Sequence, residues 1–386
     1  MNNYYISFVV ATRNDDHGTN IEKKNQYFVD RFVYLVEKYN LSAELIIVEW
    51  NPDPNKKKLS EVLKIPKLKQ NLLIRIIEVE KKLHDRFLNS DKLNFFQMQA
   101  KNVGIRRAKG EFILCTNIDI IFSEKMFDFF SKKSLKHKTI YRADRYDLDF
   151  YLFNNVKVEE KILIKYLTHI NKRDYTINVL TGEKFYIYKS LTVYLIEFFK
   201  KAPIYLYKNL TQFIKLLEKF PINLYKNLSK FKVLTYIFKK NIFKILGKNM
   251  FKFFLSINLF GKKIHTNACG DFTLIHKDVW FDCNAYYEYD GYSFHLDSIL
   301  LFNALYKNYN FINLNEKIYH INHDKGFVPD NNDLFKRLDK EKIPYITESQ
   351  LKGYVYSFKN KNTFFLGNDQ WGFKDEKLTE KIFIAN

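Results

Sequence analysis

Cysteine is scarce in this chain. Cys115, Cys269 and Cys283 are spread over 386 residues without CxxC spacing, which excludes a disulfide framework and a thiolate zinc cluster and fits a reducing compartment. No uncharged run reaches the roughly 20 apolar residues that a membrane-spanning helix requires. Residues 1–12 are uncharged but shorter than a span, and they show neither a basic n-region nor a small-residue cleavage site, so no secretory leader is expected. Arginine is missing altogether from residues 186–263. With no nucleic-acid motif elsewhere, nucleic acid is not an expected partner.

What is present is ordinary in bulk and uneven in placement. Hydrophobic residues make up 46% and charged residues 27%, which excludes a mainly disordered chain. The length exceeds one average domain and falls short of three. Of the formal net charge of +20, residues 186–263 carry +14, from sixteen lysines against Glu197 and Glu218 alone. The basicity is therefore a property of one segment.

Residues 1–150 alternate strand-like and helix-like runs. An apolar run over 4–12 ends in Arg13-Asn14-Asp15-Asp16-His17-Gly18 and predicts a buried strand feeding a loop. Phe28, Phe32, Leu35 and Val36 give 21–40 the spacing of an amphipathic helix. Residues 45–48 predict a second strand closed by Glu49-Trp50-Asn51-Pro52-Asp53-Pro54, and 72–79 a third. A helix over 95–108 has Gly110 as its stop signal, and a fourth strand over 111–114 runs into Thr116-Asn117-Ile118-Asp119. The expectation is an α/β, Rossmann-like fold, with a mainly parallel sheet and helices on both faces. Ligands of such sheets sit beyond the carboxyl ends of the strands, where Arg13 to Asp16, Glu49 and Asn117 to Asp119 collect.

Residues 151–263 break this pattern. The stretch 203–213 (PIYLYKNLTQF) returns as 221–231 (PINLYKNLSKF), a repeat of eighteen residues, or whole helical turns at about 3.6 residues per turn. Leu206, Leu210, Phe213, Leu217 and Phe220 form an apolar stripe, and Pro203 and Pro221 mark helix starts. A basic amphipathic helical insertion is expected over 151–263. Alpha/beta character resumes over 264–330, with a strand inside 264–280, a helix over 298–306 and a short strand over 308–314. Residues 331–386 are expected to be helices or loops packed on the core.

Asn117 and Asp119 alternate onto one side of a strand end. A carboxylate beside an amide oxygen can hold one hard divalent cation, with diphosphate oxygens and water completing its shell. Asn102 and Arg106 lie four apart on one helix face and are candidate contacts for a nucleotide or its phosphates. Arg142 either pairs with Asp144 structurally or, like Arg145, neutralises phosphate.

The run Asn102-x-Gly104-Ile105-x-x-Ala108-x-Gly110-Glu111-Phe112-Ile113-Leu114, followed by a D-x-D-like triplet, resembles the donor half of a GT-A glycosyltransferase of the family-2 type. The resemblance covers roughly residues 4–150 and 264–325. It implies a nucleotide-diphospho-sugar donor held by Thr12, Arg13 and Glu49, and a divalent Mn2+ or Mg2+ at Asp119. It also implies an inverting transfer to a hydroxyl of a glycan or lipid-linked acceptor. Acceptor-side acids are expected just after an aromatic, Gly-containing loop. Asp297, after Gly291-Tyr292-Ser293, is the first candidate for the general base and Asp271 the second. A late histidine, His323 or His320, is expected to complete the metal shell. The triplet departs from the family by beginning with Asn117 in place of an acid. That departure sustains a competing class, a non-catalytic peripheral membrane or scaffold protein on a degenerate GT-A core.

Lysine beside Phe, Tyr and Leu on amphipathic helices points 186–263 toward an anionic membrane surface. The expected location is cytoplasmic, peripheral at the membrane face.

Overall fold

The structure is a computed structural model that describes residues 4–15, 21–69, 71–149, 160–187, 264–322, 333–363, 366 and 369–385. It divides into two units, residues 1–187 with 264–386, and residues 188–263. The second unit lies outside the described residues, and so does the expected helical character of the repeat.

Chain order in the first unit begins β1 (Ile6–Thr12), α1 (Ile21–Lys38), β2 (Ala43–Trp50), α2 (Leu59–Val62) and β3 (Leu72–Val79). Next come α3 (Lys81–His84), α4 (Gln97–Arg107), β4 (Phe112–Thr116), β5 (Ile120–Phe122), α5 (Glu124–Ser131) and β6 (Thr139–Leu148). After α6 (Glu160–Leu163), the strands β7 (Leu167–Asn171), β8 (Tyr175–Asn178) and β9 (Lys184–Tyr186) lead to the break at residue 188. Beyond it lie β10 (Phe272–His276), α7 (Lys277–Asp282), α8 (Leu296–Tyr306) and β11 (Asn310–Ile321). The described chain closes with α9 (Asp333–Lys340), α10 (Glu348–Lys359) and β12 (Thr379–Phe383).

All these strands join one sheet in the order β12-β3-β2-β1-β4-β10-β6-β7-β8-β9, with β11 paired to β5 and β6. Pairing is parallel from β3 through β2 and β1 to β4. It turns antiparallel at β10, so the sheet is α/β and mixed beyond its N-terminal half. Every residue of β1 and β2 is buried, as expected of parallel strands covered on both faces. Alternation along β1 sends Phe8 and Val10 into the cluster that α1 completes with Phe28 and Phe32. Val9 faces the other way, toward α4. There Gly104 permits close approach: an added Cβ would stand 2.5 Å from Val9 Cγ1 and 3.3 Å from Val48 Cγ2. Phe8 also packs against Phe32, Phe122, Phe127 and Phe130 at centroid distances of 4.8, 5.8, 5.6 and 6.0 Å. Such pairs contribute about 0.5–1.5 kcal/mol each beyond their buried area.

The structure shifts two expected boundaries. Residues 167–186 are not part of a helical insertion but three antiparallel strands that extend the sheet beyond β6. The C-terminal residues supply a strand as well as helices. β12 is held to β3 by Arg75, which bonds Glu380 and also the fully buried Glu44 at 2.8 Å.

Candidate functional site

Topology gathers polar residues at one end of the sheet. β4 ends at Thr116, and antiparallel β10 begins beside it, Phe272 facing Thr116. β11 runs parallel to β6 and antiparallel to β5, which sets His320 opposite both Asp147 and Ile120. The ends of β4, β6 and β11 and the starts of β5 and β10 therefore converge. Their residues Asn117, Asp119, Arg145, Asp147, Asp271 and His320 come together.

The network they form is closely connected. Asn117 Nδ2 donates to one oxygen of Asp271, and Arg145 Nη1 donates to the other. Thr116 Oγ1 donates to the Asp271 carbonyl at 2.8 Å, anchoring the turn in which Ala268 has a φ of 49°. Arg145 also reaches Asp147, Nε to Oδ1 at 2.8 Å. Asn171 from β7 donates to Asp147 Oδ2 at 2.7 Å. His320 lies between two acids, with Nδ1 3.0 Å from Asp147 Oδ1 and Nε2 3.4 Å from Asp119 Oδ2. Burial works against the charges of Arg145, Asp147 and His320, and the pairing outweighs it. Arg145 and then His320 bring the Asp147 carboxyl down to about 2. Asp119, helped by Asp147, raises His320 to about 10 despite its burial and the nearby Arg145.

α4 lends a second shelf. Gln97 Nε2 donates to Asn117 Oδ1 at 3.0 Å, and Ser293 Oγ donates to Gln97 Oε1 at 3.1 Å. One turn on, Lys101 is wholly buried and donates to the Gly270 carbonyl at 2.7 Å. Burial pushes its ammonium down, opposed by the surrounding acids Asp271, Asp297 and Asp119. Asp297 opens α8, partly exposed, and its Oδ1 accepts from Ser298 N at 2.7 Å. Its Oδ2 would lie 3.2 Å from a Cβ placed on Gly270. The 268–271 turn and the start of α8 are thus adjacent.

The other expected site residues are placed as follows. Thr12 ends β1 beside Glu49 in register, next to the β4 end. Arg13 Nε donates to the Asn51 carbonyl at 2.7 Å and its Nη1 pairs with Asp15 at 2.8 Å. Glu49 accepts from Leu59 N with both oxygens at 3.0 Å, and burial pushes its carboxyl up to about 7. Asn102 and Arg106 do not share the strand end with Asn117. The Asn102 amide bonds Tyr286 N and O and Glu288, and Arg106 bonds the Trp371 and Asp369 carbonyls while lying 3.6 Å over the Trp371 ring. They dock the loop after α7 and the C-terminal segment. Arg142 is fully enclosed, donating to the carbonyls of His265, Cys269 and Asn267. It is therefore a clamp on 265–269 and not the partner of Asp144, which pairs with His265 at 3.1 Å. His323 lies outside the described residues.

Sequence reasoning missed Gln97, Lys101 and Asp147. The signals existed: Gln97 and Lys101 are four apart on a helix, and Asp147 is two beyond Arg145 on a strand. Scanned against protein-family models the chain matches none, and no curated protein matches it. Among the described residues no helix is long and apolar enough to cross a membrane.

Proposed function

We propose that this chain is a GT-A glycosyltransferase that moves a sugar from a nucleotide diphosphate to a hydroxyl of a surface-glycan or lipid-linked acceptor, with inversion. The observation that carries the reading is the meeting of Asn117, Asp119, His320 and Asp271 at the carboxyl ends of the parallel strands β1 and β4, with Asp297 beside the 268–271 turn. Strands lie ~4.8 Å apart, so three steps from Glu49 on β2, past β1 and β4, to Asp271 before β10 cover roughly 14 Å. That breadth suits an extended nucleotide diphosphate, with Thr12 and Arg13 at the nucleoside end and Glu49, buried with both oxygens on Leu59 N, shaping that end.

A divalent cation would sit between Asp119 and His320 in place of the Nε2 proton that the imidazolium shares with Asp119, since only a neutral imidazole ligates a metal. Asp147 accepts from His320 Nδ1, leaving Nε2 as the nitrogen aimed at Asp119, the arrangement in which a carboxylate orients a metal-ligating imidazole. One carboxylate and one imidazole suit Mn2+ better than Mg2+, with the remaining positions filled by substrate oxygens and water. When bound, the ion would neutralise charge on the departing diphosphate. Asn117 and Gln97 fix the shape of the floor, and the buried Lys101 adds positive potential beneath it. Asp271 has both oxygens engaged, so it positions Asn117 and Arg145. Asp297, partly exposed at a helix start, is left to take the proton from the acceptor hydroxyl.

The same reading places the chain at the cytoplasmic membrane face through the lysine-rich residues 186–263, on the evidence of their sequence. One observation favours a non-catalytic scaffold instead: Asn117 is tied at both ends, to Gln97 and Asp271. The test is a screen of nucleotide sugars by thermal shift with and without manganese, followed by donor hydrolysis. Metal-dependent stabilisation and turnover support the transferase. Neither effect with any donor would leave the scaffold.

A further inference from the structure

A second cluster of ligating side chains sits at the opposite end of β10. β10 begins just after Asp271 and ends at His276, and five residue steps at ~3.3 Å put that end roughly 17 Å from Asp271. His276 leads into α7, which carries Asp278, and the loop between α5 and β6 brings up His137. His137 Nε2 lies 3.1 Å from Asp278 Oδ2, and His276 Nδ1 lies 3.6 Å from the same oxygen. All three donor atoms fall within 4.8 Å of one another. A tetrahedral ion bound to N and O ligands at ~2.0–2.1 Å sets its ligand atoms roughly 3.3 Å apart. Two of the three separations already stand near that value.

The residues are held there by contacts on either side. The Tyr5 and Tyr141 hydroxyls accept from Leu135 N at 3.1 Å and from Lys136 N at 2.7 Å, fixing the loop that presents His137. Lys277, between the other two, donates to the Glu111 carbonyl through its backbone and to the Ala108 carbonyl through Nζ. The His276 ring receives the Phe112 ring edge-on at 5.2 Å. Its Nδ1 accepts the Asp278 backbone N–H at 3.2 Å. A backbone N–H only donates, so in the neutral ring the proton sits on Nε2 and the single Nδ1 lone pair is engaged by this helix-capping bond, which a bound ion would displace. The two imidazole centroids lie 3.9 Å apart with their planes tilted by 42°. An ion between them would replace the proton that His137 shares with Asp278.

We propose that His137, His276 and Asp278 form a surface site for a borderline transition-metal ion, of which zinc is the representative. Two imidazoles and one carboxylate select such an ion over Mg2+ or Ca2+, which prefer oxygen. Asp278 is largely and His137 half open to solvent, which provides an entry path and room for a water as fourth ligand. The bound ion would tie the α5–β6 loop to the start of α7.

Equilibrium dialysis of the full chain against zinc alone tests this, comparing wild type with His137→Ala, His276→Ala and Asp119→Asn. The expected result is a zinc retained by both wild type and Asp119→Asn, with affinity for it at least 10-fold weaker in each histidine variant. Zinc should also raise the melting temperature of wild type and not of His137→Ala. His137 is half exposed, so that variant keeps the fold even if His276→Ala does not. No zinc retained by wild type, retention unchanged in both histidine variants, or loss only with Asp119→Asn overturns the proposal. A failed transferase assay would leave this result untouched.

Discussion

Nδ1 of His320 lies 3.0 Å from Oδ1 of Asp147. A carboxylate only accepts, so that nitrogen carries a proton and the opposite one is directed at Asp119. The ring's orientation is set from a neighbouring strand, before any ligand arrives. Asp147→Asn is therefore expected to weaken manganese binding by roughly 10- to 100-fold, the usual cost of losing a partner behind a ligating histidine. Isothermal titration with manganese checks it. Unchanged affinity would remove His320 from the metal site.

Asp119 is the only acid of the Asn117-Ile118-Asp119 triplet. Asp119→Ala should abolish metal-dependent nucleotide binding and transfer, whereas Asn117→Ala should weaken both less. Asn117 contributes through Asp271 and Gln97, not through charge. A variant Asp119→Ala that binds donor normally in manganese would show that the site lies elsewhere.

The two candidate bases separate by what surrounds them. Asp297→Asn should cut turnover by about 100-fold or more while leaving donor affinity and melting temperature near wild type. Asp271→Asn removes the charge that Arg145 meets inside the protein, so its main effect should be a lower melting temperature. If the two variants show the reverse pattern, their roles are exchanged.

Much of this arrangement was legible in the sequence because hydrophobic period records which face is buried. β3 falls where its apolar run predicts, and the helices over 21–38, 97–107 and 296–306 lie within a few residues of expectation. The site was less legible because two residue pairs on α4 have the same spacing. Asn102 and Arg106 are four apart, as are Gln97 and Lys101, and sequence spacing alone does not say which face meets β4. The sequence predicts a strand that ends near residue 314, whereas β11 continues to Ile321 past a register shift between Asn313 and Lys317. His320 therefore looked like a residue beyond the strand, when it is one of the strand's last. β7 to β9 are short and partly exposed, with no continuous apolar run, so they blended into the helical pattern that follows.

Glu49 provides a test by pH. Its carboxyl titrates near 7 in the folded chain against an ordinary 4.5, mainly because it is buried. A raised folded value means that its contribution to stability is fully present below pH 4.5 and is lost as pH rises through 7. The gap corresponds to roughly 3 kcal/mol. Glu49→Gln keeps an oxygen for Leu59 N but cannot ionise. It should melt like wild type near pH 4 and higher than wild type at pH 8 to 9. Parallel melting curves across that range would contradict the assignment.

The lysine-rich segment makes the last prediction, argued from its sequence because it lies outside the described residues. The stripe from Leu206 to Phe220 begins again at Leu224, and lysines flank it without interrupting it. Such a face left in water is an aggregation hazard, so it must be covered by protein or by lipid headgroups. Cover by protein would not call for +14 of nearly unopposed charge, whereas an anionic surface attracts each lysine by roughly 1 kcal/mol. Binding to vesicles should therefore rise with anionic lipid content and fall with salt. It should also drop when Lys208, Lys215, Lys226 and Lys230 are replaced together by Gln. Equal binding to neutral and anionic vesicles, or none to either, would assign the stripe to packing against protein.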